Sequence, residues 1–255
     1  MKKYIADLQV KENQHLNNSY FLLKLTSNQP LAETKAGQFV EIRIDGSKDV
    51  FLRRPISIHY TDKEKNEIWL LIQKVGKGTE QLSKIKSGEF LNIVYPLGNG
   101  FSIEKNFSKP LLIGGGVGVA PMLELGAKLK EKGIEPTFLL GARSAKDLLE
   151  LEMFEKFGRV LTTTEDGSVG EKGFVTQHSV WEKESFDQIF TCGPTPMMKA
   201  IAKLATEKQI DCEVSLENKM ACGVGACLCC VEDTKDGHRC VCSDGPVFNS
   251  KNLKW

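Results

Sequence analysis

The first hundred residues alternate short apolar runs with polar connectors. "SYFLLKLTS", "QFVEIRI", "ISIHYTD", "EIWLLIQKV" and "EFLNIVYPL" are rich in β-branched and aromatic residues, and "DGSKD", "DKEKNE" and "KIKSG" divide them. Short strands with no long helix between them predict a small closed antiparallel barrel. At Pro110 the pattern changes. "PLLIGGGVGVAP" is an apolar strand entering a glycine turn, and "MLELGAKLKEKG" has helical periodicity with Gly133 as its C-cap. "PTFLLGARS" and "AKDLLELEMFEKF" repeat the order strand then amphipathic helix, as do "RVLTTTEDGS" and "QIFTCGPTPMMKAIAKLATEK". This alternation predicts a parallel sheet covered on both faces. From about Asp211 it dissolves into a cysteine-rich tail. The chain therefore divides into a β barrel (1–105), an α/β domain (106–210) and a cysteine module (211–255), with no internal repeat.

Charge adds little. Lys plus Arg (34) nearly balances Asp plus Glu (33), so neither nucleic acid nor an anionic membrane is expected as a partner. The start "MKKYIADLQVKENQ" has no apolar stretch of the kind a signal peptide needs, and no run is apolar enough to span a bilayer. The expectation is a soluble, cytoplasmic protein. In that compartment thiols stay reduced. Six of the eight cysteines, Cys222, Cys227, Cys229, Cys230, Cys240 and Cys242, are therefore expected to bind metal or act chemically rather than to pair as disulfides.

Three stretches carry candidate chemistry. "GGGVGVAP" (114–121) lets the backbone approach a ligand closely, and the following helix offers free N–H groups and a dipole that suit a pyrophosphate. Its spacing departs from G-x-G-x-x-G, and no acidic residue ends the next strand, so this is not the usual Rossmann fingerprint. "TCGPTPMM" puts Cys192, Gly193 and Pro194 at the end of another strand, on the same sheet edge as the glycine turn. "FLRRPISIHY" supplies Arg54 and Ser57, a guanidinium fork and a hydroxyl suited to a phosphate. In the tail, Cys222, Cys227 and Cys230 have the C-x4-C-x2-C spacing of plant-type [2Fe–2S] ligation, with Cys240 or Cys242 as the fourth thiolate. Four thiolates also suit zinc, although "CVC" is a poor second zinc knuckle.

Arg-Pro-Ile-Ser in a barrel, then "GKGT" (76–79), "GGGVGVAP" and "CGP" follow the motif order of the ferredoxin–NADP reductase superfamily. That resemblance implies an FAD-binding barrel and an NAD-binding α/β domain. By position, Arg54, Pro55, Ile56 and Ser57 would line the flavin and its pyrophosphate, and Leu71, Ile72 and Gln73 would pass alongside the flavin. Gly78 and Thr79 would bind the FAD phosphate, while Gly115, Gly116, Gly118, Cys192, Gly193 and Pro194 would meet the nicotinamide nucleotide. With the tail "ACGVGACLCCV…VCSDGPVF", the whole chain closely resembles the electron-transfer subunits of dihydroorotate dehydrogenase B. This implies a [2Fe–2S] cluster on Cys222, Cys227, Cys230 and Cys242, leaving Cys229 and Cys240 without a role. It also implies electron transfer between NADH and the FMN of a separate dihydroorotate dehydrogenase catalytic subunit, in a heterotetramer of two of each, within pyrimidine biosynthesis. No residue is expected to act on dihydroorotate itself. The alternative within the superfamily is the flavin subunit of a cytoplasmic hydrogenase or an NADH-dependent ferredoxin–NADP reductase. Arg143, Glu165 and Asp166 leave the nicotinamide choice open, and NADH follows from the resemblance alone.

Overall fold

A computed structural model describes residues 2–255. Seven strands form an antiparallel sheet: β1 (Tyr4–His15), β2 (Tyr20–Thr26), β3 (Phe39–Ile42), β4 (Arg54–Ser57), β5 (Tyr60–Asp62), β6 (Glu67–Gln73) and β7 (Phe90–Leu97), in the order β4-β3-β7-β1-β2-β6-β5. A short helix, α1 (Lys77–Leu82), links β6 to β7. The sheet curls so that the single segment 54–62 supplies both of its outermost strands. Ile58 N–H donates to the Gln38 carbonyl (2.9 Å) on one side and His59 N–H to the Trp69 carbonyl (2.9 Å) on the other. The expected barrel thus closes through the backbone at 58–59, and "ISIHYTD" is two strands with a seam between them rather than one. The longest strand, β1, carries no strand signal in the sequence pattern. Of its twelve residues only Leu8 and Val10 are buried, so it lacks a long apolar run.

The second sheet contains β8 (Pro110–Gly115), β9 (Thr137–Ala142), β10 (Arg159–Thr164), β11 (Glu171–Lys172), β12 (Gln188–Cys192) and β13 (Asp211–Ser215). Helices α2 (Ala120–Glu131), α3 (Leu151–Glu155), α4 (Val180–Lys183) and α5 (Thr195–Glu207) cover it. A hairpin, β14 (Val231–Thr234) and β15 (Gly237–Cys240), and a last strand, β16 (Val247–Asn249), come from the tail. The sheet order is β11-β10-β9-β8-β12-β13-β16, parallel except for β16, which pairs antiparallel with β13.

Period-two alternation distributes the apolar strands over two cores. Leu111, Ile113, Leu139 and Ile189 point to the α4 and α5 side, and Leu112, Phe138, Leu140 and Phe190 to the α2 and α3 side. The barrel obeys the same rule: Leu23, Leu70 and Ile72 fill its interior, whereas Leu22, Trp69 and Leu71 pack outward against the α2 layer. Cys230, Val241 and Cys242 join the α5-side core, so the cysteine module rests on the same apolar foundation as the sheet.

Two expectations are corrected here. The sheet continues past residue 210 through β13 and β16, because "DCEVS" buries Cys212 and Val214 completely despite its polar alternates. The helix expected over "AKDLLELEMFEKF" shrinks to five residues. Glu150 adopts a left-handed φ of 51°, and its carboxylate turns inward to His59, 2.8 Å away.

Candidate functional site

A cleft of about 710 Å³ opens where the C-terminal ends of β8, β9, β10 and β12 face the barrel. Its wall includes Gly115, Gly116, Gly118, Gly193 and Pro194 from the two turns, with Gln73 and Tyr20 from the barrel. The two turns touch backbone to backbone: a Cβ at Gly118 would lie 2.5 Å from the Cys192 carbonyl oxygen and 2.5 Å from Gly193 Cα. This packing places the glycine turn and the "TCGP" turn on one concave surface, the position in which open α/β sheets bind ligands. Beyond the turns, Arg143 and Glu165 line the cleft. Asp166 is turned away, its Oδ1 accepting from the Ser168 N–H (3.0 Å) and hydroxyl (2.6 Å).

Cys192 lies beneath this floor, fully buried. Its thiol donates to Glu217 Oε1 at 3.6 Å, and burial, with the Glu217 carboxylate beside it, pushes its pKa well up and keeps it neutral. Glu217 reaches the cleft from the start of the tail; desolvation among its neighbours raises its pKa although the cleft mouth admits water to it. Glu217, Tyr20 and Thr163 were not singled out in the sequence. Thr163 Oγ1 is buried beside the cleft with no hydrogen-bond partner among the described residues. Only the fold brings these three to the two turns, and no local pattern marks them.

The barrel residues form a second cluster. Arg54 to Ser57 lie half-buried on β4, opposite Phe39 to Ile42 on β3. The Arg54 side chain lies over Gly78, where a Cβ would come within 2.6 Å of its Nε. Its guanidinium donates to the Leu52 carbonyl at 2.8 Å. Arg53, by contrast, is tied to the Glu41 and Asn92 carbonyls (3.2 and 3.0 Å) and is structural. Thr79 Oγ1 accepts from the Val75 N–H (2.9 Å) and Gly76 N–H (3.3 Å), shaping the loop before α1. Leu71 and Ile72 are buried in the outer and inner barrel cores, so of that trio only the Gln73 side chain reaches the cleft.

The third cluster is the cysteine loop. Cys230 and Cys242 are buried, Cys222 is half-buried, and Cys227 and Cys229 are exposed; all eight cysteines are free thiols. Backbone donors point at the sulfurs: Gly225 N–H to Cys242 Sγ (3.1 Å), Cys242 N–H to Cys230 Sγ (3.4 Å) and Val224 N–H to Cys222 Sγ (3.5 Å). Burial opposes ionisation of Cys222, but N–H groups of Val224, Cys227 and Ala226 and the Cys227 thiol outweigh it and bring its pKa down to about 6. Burial and the neighbouring Cys230 push Cys242 up to about 12. Among the described residues no three of these thiols converge closely enough to hold a metal as they stand. The fit is one of donor chemistry: four thiols with backbone N–H groups aimed at three of the sulfurs, as a [2Fe–2S] cluster requires. The Cys240 N–H turns instead to Asp244, donating to its Oδ2 at 2.7 Å.

The loop is stitched to the barrel. Asn99 Nδ2 donates to the Ser243 and Asp244 carbonyls (3.1 and 3.0 Å), and Gly223 sits against Glu41 of β3, the register partner of Pro55. Glu41 is completely buried, and neither of its carboxylate oxygens has a hydrogen-bond partner among the described residues.

Three family models match in order: an oxidoreductase FAD-binding domain over residues 6–101, an oxidoreductase NAD-binding domain over 112–203, and the iron–sulfur cluster binding domain of dihydroorotate dehydrogenase B over 217–254. The chain is 37% identical over 258 residues to the dihydroorotate dehydrogenase B (NAD(+)) electron transfer subunit of Fusobacterium nucleatum, covering 98% of each chain. It is 39% identical to that of Clostridium acetobutylicum, covering 99% of this chain and 98% of the other. Among solved structures, the NADH-dependent reduced ferredoxin–NADP oxidoreductase matches with a TM-score of 0.87 and 33% identity, over 98% of this chain and 90% of that one. A ferredoxin NADP+ reductase from Neisseria gonorrhoeae shares the fold, with a TM-score of 0.69 at 13% identity, over 83% of this chain and 99% of that one.

Proposed function

The chain belongs to the family of dihydroorotate dehydrogenase B electron-transfer subunits, and from that premise we propose how its residues divide the work. It is an oxidoreductase subunit that carries electrons between NADH and a catalytic dihydroorotate dehydrogenase partner, with FAD and a [2Fe–2S] cluster, in pyrimidine biosynthesis. When bound, FAD exchanges electrons in pairs with NADH and singly with the one-electron cluster; the protein contributes binding, orientation and electrostatics.

The turns at Gly115–Gly118 and Cys192–Pro194 hold the nicotinamide nucleotide, with backbone N–H groups of the glycine turn facing its pyrophosphate. Arg54 and Ser57 hold FAD from β4, with Gly78 and Thr79 shaping the loop beneath its phosphates. The neutral Cys192 thiol and Glu217 mark the floor of the cleft where the nicotinamide would meet the flavin. Cys222, Cys227, Cys230 and Cys242 hold the cluster. The partner carries FMN, two copies of each subunit assemble, and the complex works in the cytoplasm. The observation that carries this reading is the adjacency of the three clusters: Gln73 of the barrel lines the nucleotide cleft, and the cysteine loop rests on the strand paired to Arg54–Ser57. Among the described residues no helix is long and apolar enough to cross a membrane.

Absorbance and iron–sulfide analysis of the purified protein tests the cofactors together. Flavin bands, cluster absorbance that bleaches with dithionite and two irons per chain support the assignment; a colourless zinc protein overturns it. The isolated chain should oxidise NADH with an artificial acceptor and act on dihydroorotate only after a catalytic subunit is added. A second reading, an NADH-dependent ferredoxin–NADP reductase subunit, draws on the 33% likeness to that solved structure. Co-purification separates the two, since only the preferred reading predicts a dihydroorotate dehydrogenase as the retained partner.

A further inference from the structure

His59 lies outside the three cofactor clusters, fully buried at the barrel seam two residues after Ser57. Its Nδ1 donates to the Ala120 carbonyl (2.8 Å) in the first turn of α2, directly after the glycine turn. Its Nε2 lies 2.8 Å from Glu150 Oε2. The backbone repeats the connection: Glu124 N–H donates to the His59 carbonyl (3.1 Å), and Thr61 N–H to Glu124 Oε2 (2.8 Å). One buried imidazole therefore joins the proposed flavin strand to the proposed nucleotide helix.

The partners fix the proton count. A carbonyl oxygen only accepts, so Nδ1 must carry a hydrogen. A neutral ring then presents a lone pair at Nε2, which would face the lone pairs of a carboxylate at 2.8 Å. Both bonds form only when the pair holds one further proton, either on Nε2 or on Glu150. Glu150 reaches this position by taking a left-handed φ of 51°, a conformation that non-glycine residues rarely adopt. The groups facing the imidazole are Glu124 from α2, with Lys128 Nζ 4.0 Å from its Oε1, and the Phe154 ring from α3, 6.3 Å away.

We propose that His59 is a positioning residue for hydride transfer, and that the proton it shares with Glu150 locks the flavin-bearing seam against the nucleotide-binding turn. The proposal rests on the assignment of Arg54–Ser57 to FAD and of the glycine turn to NADH. The lock sets the separation of the two reacting rings, and a misplacement of about 1 Å costs on the order of a hundredfold in rate.

The test uses the holoprotein, with NADH as donor and ferricyanide as acceptor, and measures kcat, KM and flavin content. In Glu150→Gln the introduced amide can donate to a neutral Nε2, so the link is kept and kcat should stay within about twofold of wild type. Glu150→Ala and His59→Ala remove the link and should each lower kcat about tenfold, with KM little changed and full flavin content. The proposal is overturned if either alanine variant keeps wild-type kcat, or if Glu150→Gln loses as much as Glu150→Ala. Should His59→Ala not fold, the two Glu150 variants decide alone. A wild-type protein lacking flavin or NADH oxidation overturns the cofactor assignment itself, a failure distinguishable from that of the lock.

Discussion

Gly223 of the cysteine loop and Glu41 of the barrel are in contact so close that a Cβ on the glycine would lie 2.7 Å from Glu41 Cγ. Gly223 has a φ of +65°, where a side chain is strained as well as crowded. Gly223→Ala should therefore lift the loop off β3. The expected outcome is a loss of iron content of at least half, with flavin content unchanged, read by iron and flavin analysis of the same preparation.

Glu41 also predicts a pH dependence. Burial raises its pKa from 4.5 to about 7, against the pull of Arg53. A carboxyl that binds its proton more tightly when folded stabilises the fold most at acid pH. That contribution, at most about 3 kcal/mol, is lost as pH climbs from 4.5 through about 7. Glu41→Gln removes the titration. Urea midpoints at mildly acid and mildly alkaline pH should differ in the wild type and converge in the variant.

Cys242 and Cys240 give opposite expectations. Cys242 Sγ accepts the Gly225 N–H, and its own N–H points at Cys230 Sγ. Cys242→Ser should abolish the cluster absorbance, and Cys240→Ser should leave it. The reverse result would reassign the fourth thiolate.

Gly118→Ala places a methyl group 2.5 Å from the Cys192 carbonyl oxygen and separates the two turns of the cleft. NADH affinity should weaken at least tenfold, about 1.4 kcal/mol, by titration of the flavin absorbance. FAD content should be unaffected, because the barrel cluster does not touch Gly118.

Thr79→Ala leaves the Val75 and Gly76 N–H groups without their acceptor. Val75 is exposed and Gly76 half-buried, so water replaces part of what is lost and the cost is about 1 kcal/mol. FAD retention during gel filtration should fall, and the loss should be smaller in Thr79→Ser, which keeps the hydroxyl.

The sequence reveals those parts of this molecule whose signal is local. The apolar strands, the glycine turn, the C-cap at Gly133 with its φ of +77° and the cysteine spacing are all set by neighbours in the chain. Residues that act across the fold left no such mark. β1 is mostly exposed, and its residues gain meaning only when β2 and β7 flank it. Glu150 reads as one polar position of an amphipathic helix until His59, 91 residues earlier, claims its carboxylate. Glu217 reads as a tail residue until β12 brings the Cys192 thiol against it. Glu41 looks like the outward residue of an alternating strand, but the cysteine loop covers that face.

The antiparallel pairing of β16 with β13 has a practical consequence for anyone who would trim this protein to a flavin-only reductase. Cutting the chain after Leu216 removes β16 and leaves β13, with Cys212 and Val214 wholly buried, as an unguarded strand with open backbone donors and acceptors. Such a truncation should aggregate through that strand, and it also loses Glu217 from the floor of the cleft. The tail is thus a solubility element for the sheet it borders, quite apart from any electron it carries.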